Sequence, residues 1–366
     1  MGDRNAQPDP LKAQRARIDA IDAELQQLIN ERAALAQAIA EIKRAEGVED
    51  SAFYRPEREA QILREVRDRN TGPLPADEMV RLFREVMSAC LALERPLTVA
   101  FLGPEGTFTQ AAALKHFGHS VTTTALASIP EVFREVAAGS AHFGVVPVEN
   151  STEGMVTHTL DAMARAPLAI CGEVILRIHH QLMGRAESLE PITRIYSHPQ
   201  SLAQCREWLD AHLPAAERVG VASNAEAARR AAEEEGGAAI ASAAAAERYE
   251  LPVLAANIED EPDNTTRFLI LGPEGSAASG ADKTTLVVSG PNRVGSLHGL
   301  LAPLARHGIN LTRVESRPSR QGVWAYLFYL DIEGHQDEPT VAAALAELEA
   351  EASFFRILGS YPRAAT

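Results

Sequence analysis

The chain has little cysteine, few aromatic residues and no excess of positive charge, and each shortage narrows what it can be. Three cysteines in 366 residues, Cys90, Cys171 and Cys205, are far apart and odd in number, which suggests neither a disulfide framework nor a spaced zinc site. That usage fits a reducing, cytoplasmic compartment, and no metal or other cofactor is expected. No apolar run approaches the ~20 residues needed to cross a bilayer, so no membrane partner is expected. The N-terminus, Met1-Gly2-Asp3-Arg4 followed by polar residues, lacks the apolar centre of an export signal. A formal charge of −15 argues against a general nucleic-acid surface, because phosphate binding needs a basic footprint. Small anions remain open as substrates, since a few local cations suffice to hold them.

What is present divides the chain into three. Proline and glycine are absent from Leu11 to about Ala45, where Ile18, Ile21, Leu25, Leu28, Leu35, Ile39 and Ile42 recur at intervals of three and four. This is a heptad seam on one helix of ~35 residues, roughly 50 Å long, which a small domain cannot cover with its own chain. Dimerisation is expected. Two shorter helices are predicted, Pro56 to Arg69 and Pro75 to Leu93, on either side of the breaker Asn70-Thr71-Gly72-Pro73. The first unit, 8–96, is therefore all-α.

From Leu97 the pattern alternates strands with helices. The strands are predicted at Leu97 to Leu102, His142 to Val148, Ile170 to Ile178, Arg194 to Tyr196, Gly237 to Ala241 and Arg267 to Leu271, an α/β unit over 97–273. Gly275 to Gly280 has the composition of a linker. Beyond it the order is strand Thr284 to Ser289, helix Gly295 to His307, strand Asn310 to Arg317, strand Trp324 to Ile332, helix Thr340 to Glu351 and strand Phe354 to Gly359. That is the βαββαβ, α+β ferredoxin-like arrangement, over 282–362.

One seam position is wrong for a coiled coil: Arg32 stands where an apolar side chain belongs, and a charge there is costly unless paired. On a helical wheel Arg15, Arg32 and Lys43 fall within an arc of about 100°. Snorkelling stems on a solvated edge would account for Arg15 and Lys43 alone, less well for Arg32. Arg32 and Lys43 are roughly 16 Å apart along the axis and Arg15 roughly 25 Å the other way, so only an antiparallel second helix could bring an Arg15 to the far end.

The Arg15, Arg32 and Lys43 helix, followed by Arg58-Glu59 and a third helix ending in Glu94, resembles the all-helical chorismate mutase family. By that resemblance Arg15 of a second copy, Arg32, Lys43 and Arg58 grip the carboxylates and ether oxygen of chorismate, and Glu59 binds its ring hydroxyl. The rearrangement to prephenate involves no proton transfer, so it needs a compact conformer and cations where charge develops on the breaking ether. Arg55, Cys90 and Glu94 depart from the pattern of the best-known bacterial members. Glu94 matters most, because only a protonated carboxyl can donate to the ether oxygen. Cys90 also reads as a small buried hydrophobe.

Four loops of the α/β unit are rich in Gly, Ser, Thr and Asn: Gly103 to Thr109, Glu149 to Gly154, Ser197 to Ser201 and Asp263 to Arg267. Short hydroxyls and helix-start amides make carboxylate sites, although each loop taken alone also serves as a cap or turn. Their wording and order, closed by Asn264-Thr265-Thr266-Arg267-Phe268, resemble prephenate dehydratase from about Leu97 to Gly272. The resemblance implies two lobes like a periplasmic binding protein, the first about 97–174 plus 254–272 and the second 175–253. It gives Thr266 the role of assisting the departing hydroxyl. Thr107, Asn150, Ser151, Ser201 and Arg267 are expected to bind prephenate's carboxylates, and His179, His180 and His198 to be structural.

The last unit resembles the ACT family of amino-acid sensors. Its Gly295-Ser296-Leu297 and Glu315-Ser316-Arg317-Pro318 match the two phenylalanine-site motifs of dehydratase regulatory domains, to be shared between facing subunits. A homodimer or larger homo-oligomer that makes phenylalanine's precursor phenylpyruvate and is inhibited by phenylalanine is thus expected. An arogenate-accepting dehydratase differs only in the amino or keto group recognised. A non-catalytic amino-acid-responsive sensor would need neither Arg32 in the seam nor the Thr-Arg-Phe run.

Overall fold

The computed structural model describes residues 10–47, 54–318 and 326–364. The uninterrupted heptads form α1, Pro10–Ala45, and the breaker at 70–75 separates α2, Pro56–Arg69, from α3, Ala76–Glu94. Proline at the start of α2 suits a helical first turn, whose N–H has no intrahelical partner. Helix α1 buries only Ala36 and Ala40. Its seam is uncovered, with Ile18, Ile21, Leu25, Leu28, Leu35, Ile39 and Ile42 all 41–60% exposed. Covering what remains in water would contribute about 1 kcal/mol per side chain, before association costs.

The α/β unit opens with β1 (Thr98–Leu102), α4 (Phe108–Phe117), β2 (Thr122–Leu126), α5 (Ile129–Ala137), β3 (Phe143–Asn150), β4 (Gly154–Met155), α6 (Thr157–Met163) and β5 (Ala169–Arg177). A second lobe follows: β6 (Gln181–Gly184), β7 (Arg194–Ser197), α7 (Pro199–Gln204), α8 (Arg206–His212), β8 (Glu217–Gly220), α9 (Asn224–Glu233), β9 (Gly237–Ala241), α10 (Ala243–Arg248) and β10 (Val253–Ala255). The chain then returns as β11, Thr265–Gly272, between β3 and β5, so the first sheet runs β2-β1-β3-β11-β5 with β4 on β3. The second runs β10-β6-β9-β7-β8. The lobes change over at 178–180 and 256–264. The expected boundaries at 174/175 and 253/254 are therefore corrected, because β5 continues in the first sheet to Arg177 and β10 pairs with β6 in the second.

The C-terminal unit is β12 (Asp282–Ser289), α11 (Ser296–Arg306), β13 (Leu311–Pro318), β14 (Tyr326–Glu333), α12 (Pro339–Glu351) and β15 (Phe354–Pro362), in sheet order β13-β14-β12-β15. This is the ferredoxin-like order; Trp324, the expected start of the third strand, lies outside the described residues. Gly275 to Gly280 is not a free linker. Ser276 Oγ donates to Ser360 O at 2.9 Å, Asp282 accepts from Ser279 Oγ and the amides of Ser279 and Gly280, and Arg64 of α2 donates to Ser279 O. Tyr54, just ahead of α2, packs among Phe117 and Phe143 of the first lobe. All three units are thus in contact.

Candidate active sites

Helix α1 packs on α3 through its C-terminal half and brings Arg32 and Lys43 to the end of α3. There they, with Arg44, act on Glu94, whose main-chain oxygen also accepts from Arg44 at 2.7 Å. Burial pushes the Glu94 carboxyl above its ordinary range, against the pull of these cations. Glu59 lies elsewhere, facing Arg84 at 3.6 Å. Burial pushes its carboxyl up to about 7, with Arg84 opposing. Arg84 and Glu94 are ten residues apart on α3, about 15 Å. One chain therefore assembles Arg32, Lys43 and Glu94, and leaves Glu59 with Arg84, a partner the sequence did not suggest. Arg58 is exposed on α2 and Arg15 is exposed near the start of α1. Of the departing positions, Cys90 is buried and Arg55 pairs with Glu57 at 2.8 Å.

In the α/β unit the register of β3 against β11 places Asn150 opposite Thr266. Asn150 Oδ1 accepts from the amides of Thr152 and Glu153, both at 3.0 Å, which fixes the orientation of its amide. Its Nδ2 must then donate, and does so to Thr266 Oγ1 at 2.8 Å and Asn264 Oδ1 at 2.9 Å. With its oxygen accepting from Asn150, the Thr266 hydroxyl keeps its own proton to give. Asn264 accepts from Asn150 through Oδ1, which leaves its buried Nδ2 without a hydrogen-bond partner. It lines a cavity of about 210 Å³ between the lobes with Thr152, Gln204 and the acidic residues Glu153, Glu207, Glu259, Asp260 and Glu261. Gln204 is held by His180, whose Nε2 lies 2.9 Å from Gln204 Oε1, and its Nε2 is likewise unpartnered. Asn264 and Gln204, which line this cavity, are not among the expected site residues: Asn264 lies inside the Asp263 to Arg267 loop, and Gln204 three residues beyond Ser201.

The other expected ligands have definite places. Thr107 caps α4, and Ser151 braces β3 against β11 by accepting from Thr265 N at 2.9 Å. Ser201 is buried and exchanges hydrogen bonds with Asn224. His198 caps α7 and His179 pairs with Glu259 at 2.7 Å. Arg267 is corrected. Strand alternation turns it to the face opposite Thr266, where Nε meets Glu173 at 2.8 Å and the guanidinium meets Asp331 of β14. It is a domain-contact residue, not a carboxylate ligand in the cleft.

In the C-terminal unit Gly295, Ser296 and Leu297 line a cavity of about 390 Å³ with Arg293, Tyr326 and Phe328. Ser316 and Pro318 pair with Phe328 and Tyr326, and so share their face. Glu315 and Arg317 point to the opposite face, where Arg317 stands 3.6 Å from Asp161 of α6. The two motifs thus meet in one chain only through Ser316 and Pro318.

Cations gathered near a carboxyl with a raised pKa, and a threonine hydroxyl joined through Asn150 to the Asn264 that lines the interlobe cavity, suit a multidomain enzyme for small polar substrates. Family models divide the chain in the same way: chorismate mutase type II matches 14–95, prephenate dehydratase 99–276 and the ACT domain 284–350. The bifunctional chorismate mutase/prephenate dehydratase of Pseudomonas aeruginosa is 56% identical over 363 residues, 98% of this chain and 99% of its own. The crystal structure of an Arthrobacter aurescens prephenate dehydratase in complex with L-Phe matches with a TM-score of 0.69 and 40% identity, over 73% of this chain and 90% of its own. A protein described as a novel type of quorum quenching acylase matches with a TM-score of 0.67 and 32% identity, over 73% of this chain and 98% of its own. Fold alone therefore does not fix the chemistry.

The chain belongs to the bifunctional chorismate mutase/prephenate dehydratase family. It is both an isomerase, making prephenate from chorismate, and a lyase, making phenylpyruvate from prephenate in phenylalanine biosynthesis.

Proposed function

We propose that the two reactions run at separate sites with the following division of labour. In the mutase, Arg32 and Lys43 hold chorismate's carboxylate and the charge growing on its ether oxygen, while protonated Glu94 donates to that oxygen. Arg58 and Glu59 bind the far side of the substrate, and Arg15 comes from a second copy whose α1 covers the exposed seam. In the dehydratase, Thr266 hydrogen-bonds to the departing hydroxyl, which leaves as hydroxide and takes its proton from solvent, while the ring–carboxylate bond breaks to release carbon dioxide and its electron pair completes the aromatic ring. Asn150 aims Thr266. Thr107, Ser151 and Ser201 are assigned to prephenate's carboxylates, and Asn264 and Gln204 supply unpartnered donors at the interlobe cavity. The observation that carries this reading is the fourfold-bonded Asn150 amide, which leaves the Thr266 proton free. Location in the cytoplasm accords with three buried free thiols, and no helix among the described residues is long and apolar enough to cross a membrane.

The mutase pH profile tests the Glu94 assignment. Because the neutral carboxyl is the donor, activity should fall as pH rises through the raised Glu94 pKa, and Glu94→Gln should flatten that fall. Glu59 acts in the opposite sense: its ionised form is the acceptor, so activity should rise with pH around 7, and Glu59→Gln should remove that rise. A profile unchanged in Glu94→Gln would remove Glu94 from the mechanism.

Phenylalanine is assigned to the C-terminal unit, its carboxylate at the start of α11 and its ring against Leu297, with the second motif contributed by a facing copy. Gly295 has φ +79°, in the left-handed region, with nothing within 4 Å of an added Cβ, so Gly295→Val strains this turn without a core clash. Calorimetric titration of phenylalanine should show binding to the full-length protein and none to Gly295→Val, whose dehydratase turnover persists without inhibition. Equal affinity in both would place the effector in the catalytic cleft.

A further inference from the structure

The strands that carry the dehydratase donors each place a charged neighbour on the opposite face. Glu149 precedes Asn150 on β3, Arg267 follows Thr266 on β11, and Glu149 and Arg267 are cross-strand partners. Arg267 reaches Glu173 at 2.8 Å, Asp331 at 2.5 Å and the Tyr361 hydroxyl at 2.9 Å. Asp331 also faces Arg313 of β13 at 3.4 Å, and Arg313 faces Glu149 at 3.6 Å. Glu149 returns to Arg267 at 3.8 Å, closing a ring that spans both units. Lys283 of β12 completes the cluster on Glu173 at 2.8 Å.

Arg267, Lys283 and Arg313 thus balance Glu149, Glu173 and Asp331, and all but Glu149 have side chains no more than 13% exposed. Burial would push the Asp331 carboxyl up, but Arg267 and Arg313 more than reverse this and hold it below its usual range. Such a cluster adds little net stability compared with apolar packing, yet losing one member strands a buried charge. It therefore tolerates few intermediate arrangements. Arg313 lies on the same strand as Glu315 to Pro318, two residues ahead of the effector motif. A shift of β13 changes what Arg313 and Asp331 offer to Glu149 and Arg267, the chain neighbours of Asn150 and Thr266.

We propose that this ion cluster couples the effector domain to the dehydratase site, with Arg267 acting as the positioning residue that sets Thr266, and Asp331, Arg313 and Glu149 relaying the state of β13 to it. The proposal rests on the reading that phenylalanine acts through the C-terminal unit. For coupling, the effector needs to favour one arrangement of the cluster over the other.

Full-length Asp331→Asn and Glu149→Gln test it, the second because its half-exposed side chain can be neutralised with the least disturbance to the fold. Phenylalanine affinity by calorimetry, and dehydratase kcat and KM with and without saturating phenylalanine, are measured on the unaltered protein and both variants. The expected result is that each variant still binds phenylalanine and turns over prephenate without it, while the inhibition factor falls by about tenfold. Arg313→Lys, which keeps the charge, should retain inhibition that Arg313→Gln loses. Inhibition undiminished in folded variants overturns the coupling alone, as does loss of phenylalanine binding itself, which would make the cluster a support for the effector domain only. Failure of phenylalanine to bind or inhibit the unaltered protein overturns the underlying reading, and the proposal with it.

Discussion

Arg32→Ala should slow chorismate rearrangement by roughly 30–1000-fold, a loss of ~2–4 kcal/mol of transition-state stabilisation, while turnover of supplied prephenate stays near its original rate. The size follows from the chemistry. With no proton transfer or covalent intermediate, what the site contributes is a compact conformer and charge beside the breaking ether, and Arg32 is one of few cations gathered near Glu94. Losing the arginine from a half-buried position on a helix whose seam is otherwise uncovered costs little core packing. The variant should therefore fold, and circular dichroism would check that. Assays with each substrate separately read the outcome. A folded variant that had lost both activities would mean that the two reactions share a site.

The converse is expected of Thr266→Ala, which should lower dehydratase kcat by about 10²–10³-fold, the range for removing one oriented donor, and leave the mutase intact. Asn150 would then lose an acceptor as well, but it keeps Asn264, so the local fold survives. Thr266→Ser should recover most of the activity, because the hydroxyl and its acceptor role remain. If Thr266→Ala changed KM with kcat untouched, the residue would be binding prephenate equally well before and during bond breaking, and its assignment as the assisting donor would fail.

Much of this architecture was legible from periodicity. A glycine- and proline-free heptad run gave α1 to within a residue or so, and the βαββαβ order was readable from alternating strand and helix patterns. Strands β2, β4, β6, β8 and β10 were not, because two to five residues without an apolar run of their own carry too little pattern to separate a strand from an extended turn. Arg267 shows the limit of reading a motif as a unit. Adjacent residues of a strand point to opposite faces, so Thr266 and Arg267 could not both face one ligand. The acceptors that hold Arg267 on its own face, Glu173 and Asp331, are 94 and 64 residues distant in sequence. The same distance effect hid the Glu59–Arg84 pair and the unpartnered amides of Gln204 and Asn264, which acquire meaning only once both lobes face one cavity. The serines of the 275–280 run read as flexible from composition, yet their hydroxyls are spent on Asp282 and Ser360.

The most direct test of two separate sites on one chain is a time course with chorismate as the sole substrate. The unaltered protein should yield phenylpyruvate with prephenate appearing first. Thr266→Ala should accumulate prephenate, Arg32→Ala should leave chorismate largely unconverted, and a mixture of the two variants should restore phenylpyruvate. Chorismate consumed by Thr266→Ala without prephenate accumulating, or Arg32→Ala failing on supplied prephenate, would contradict the account.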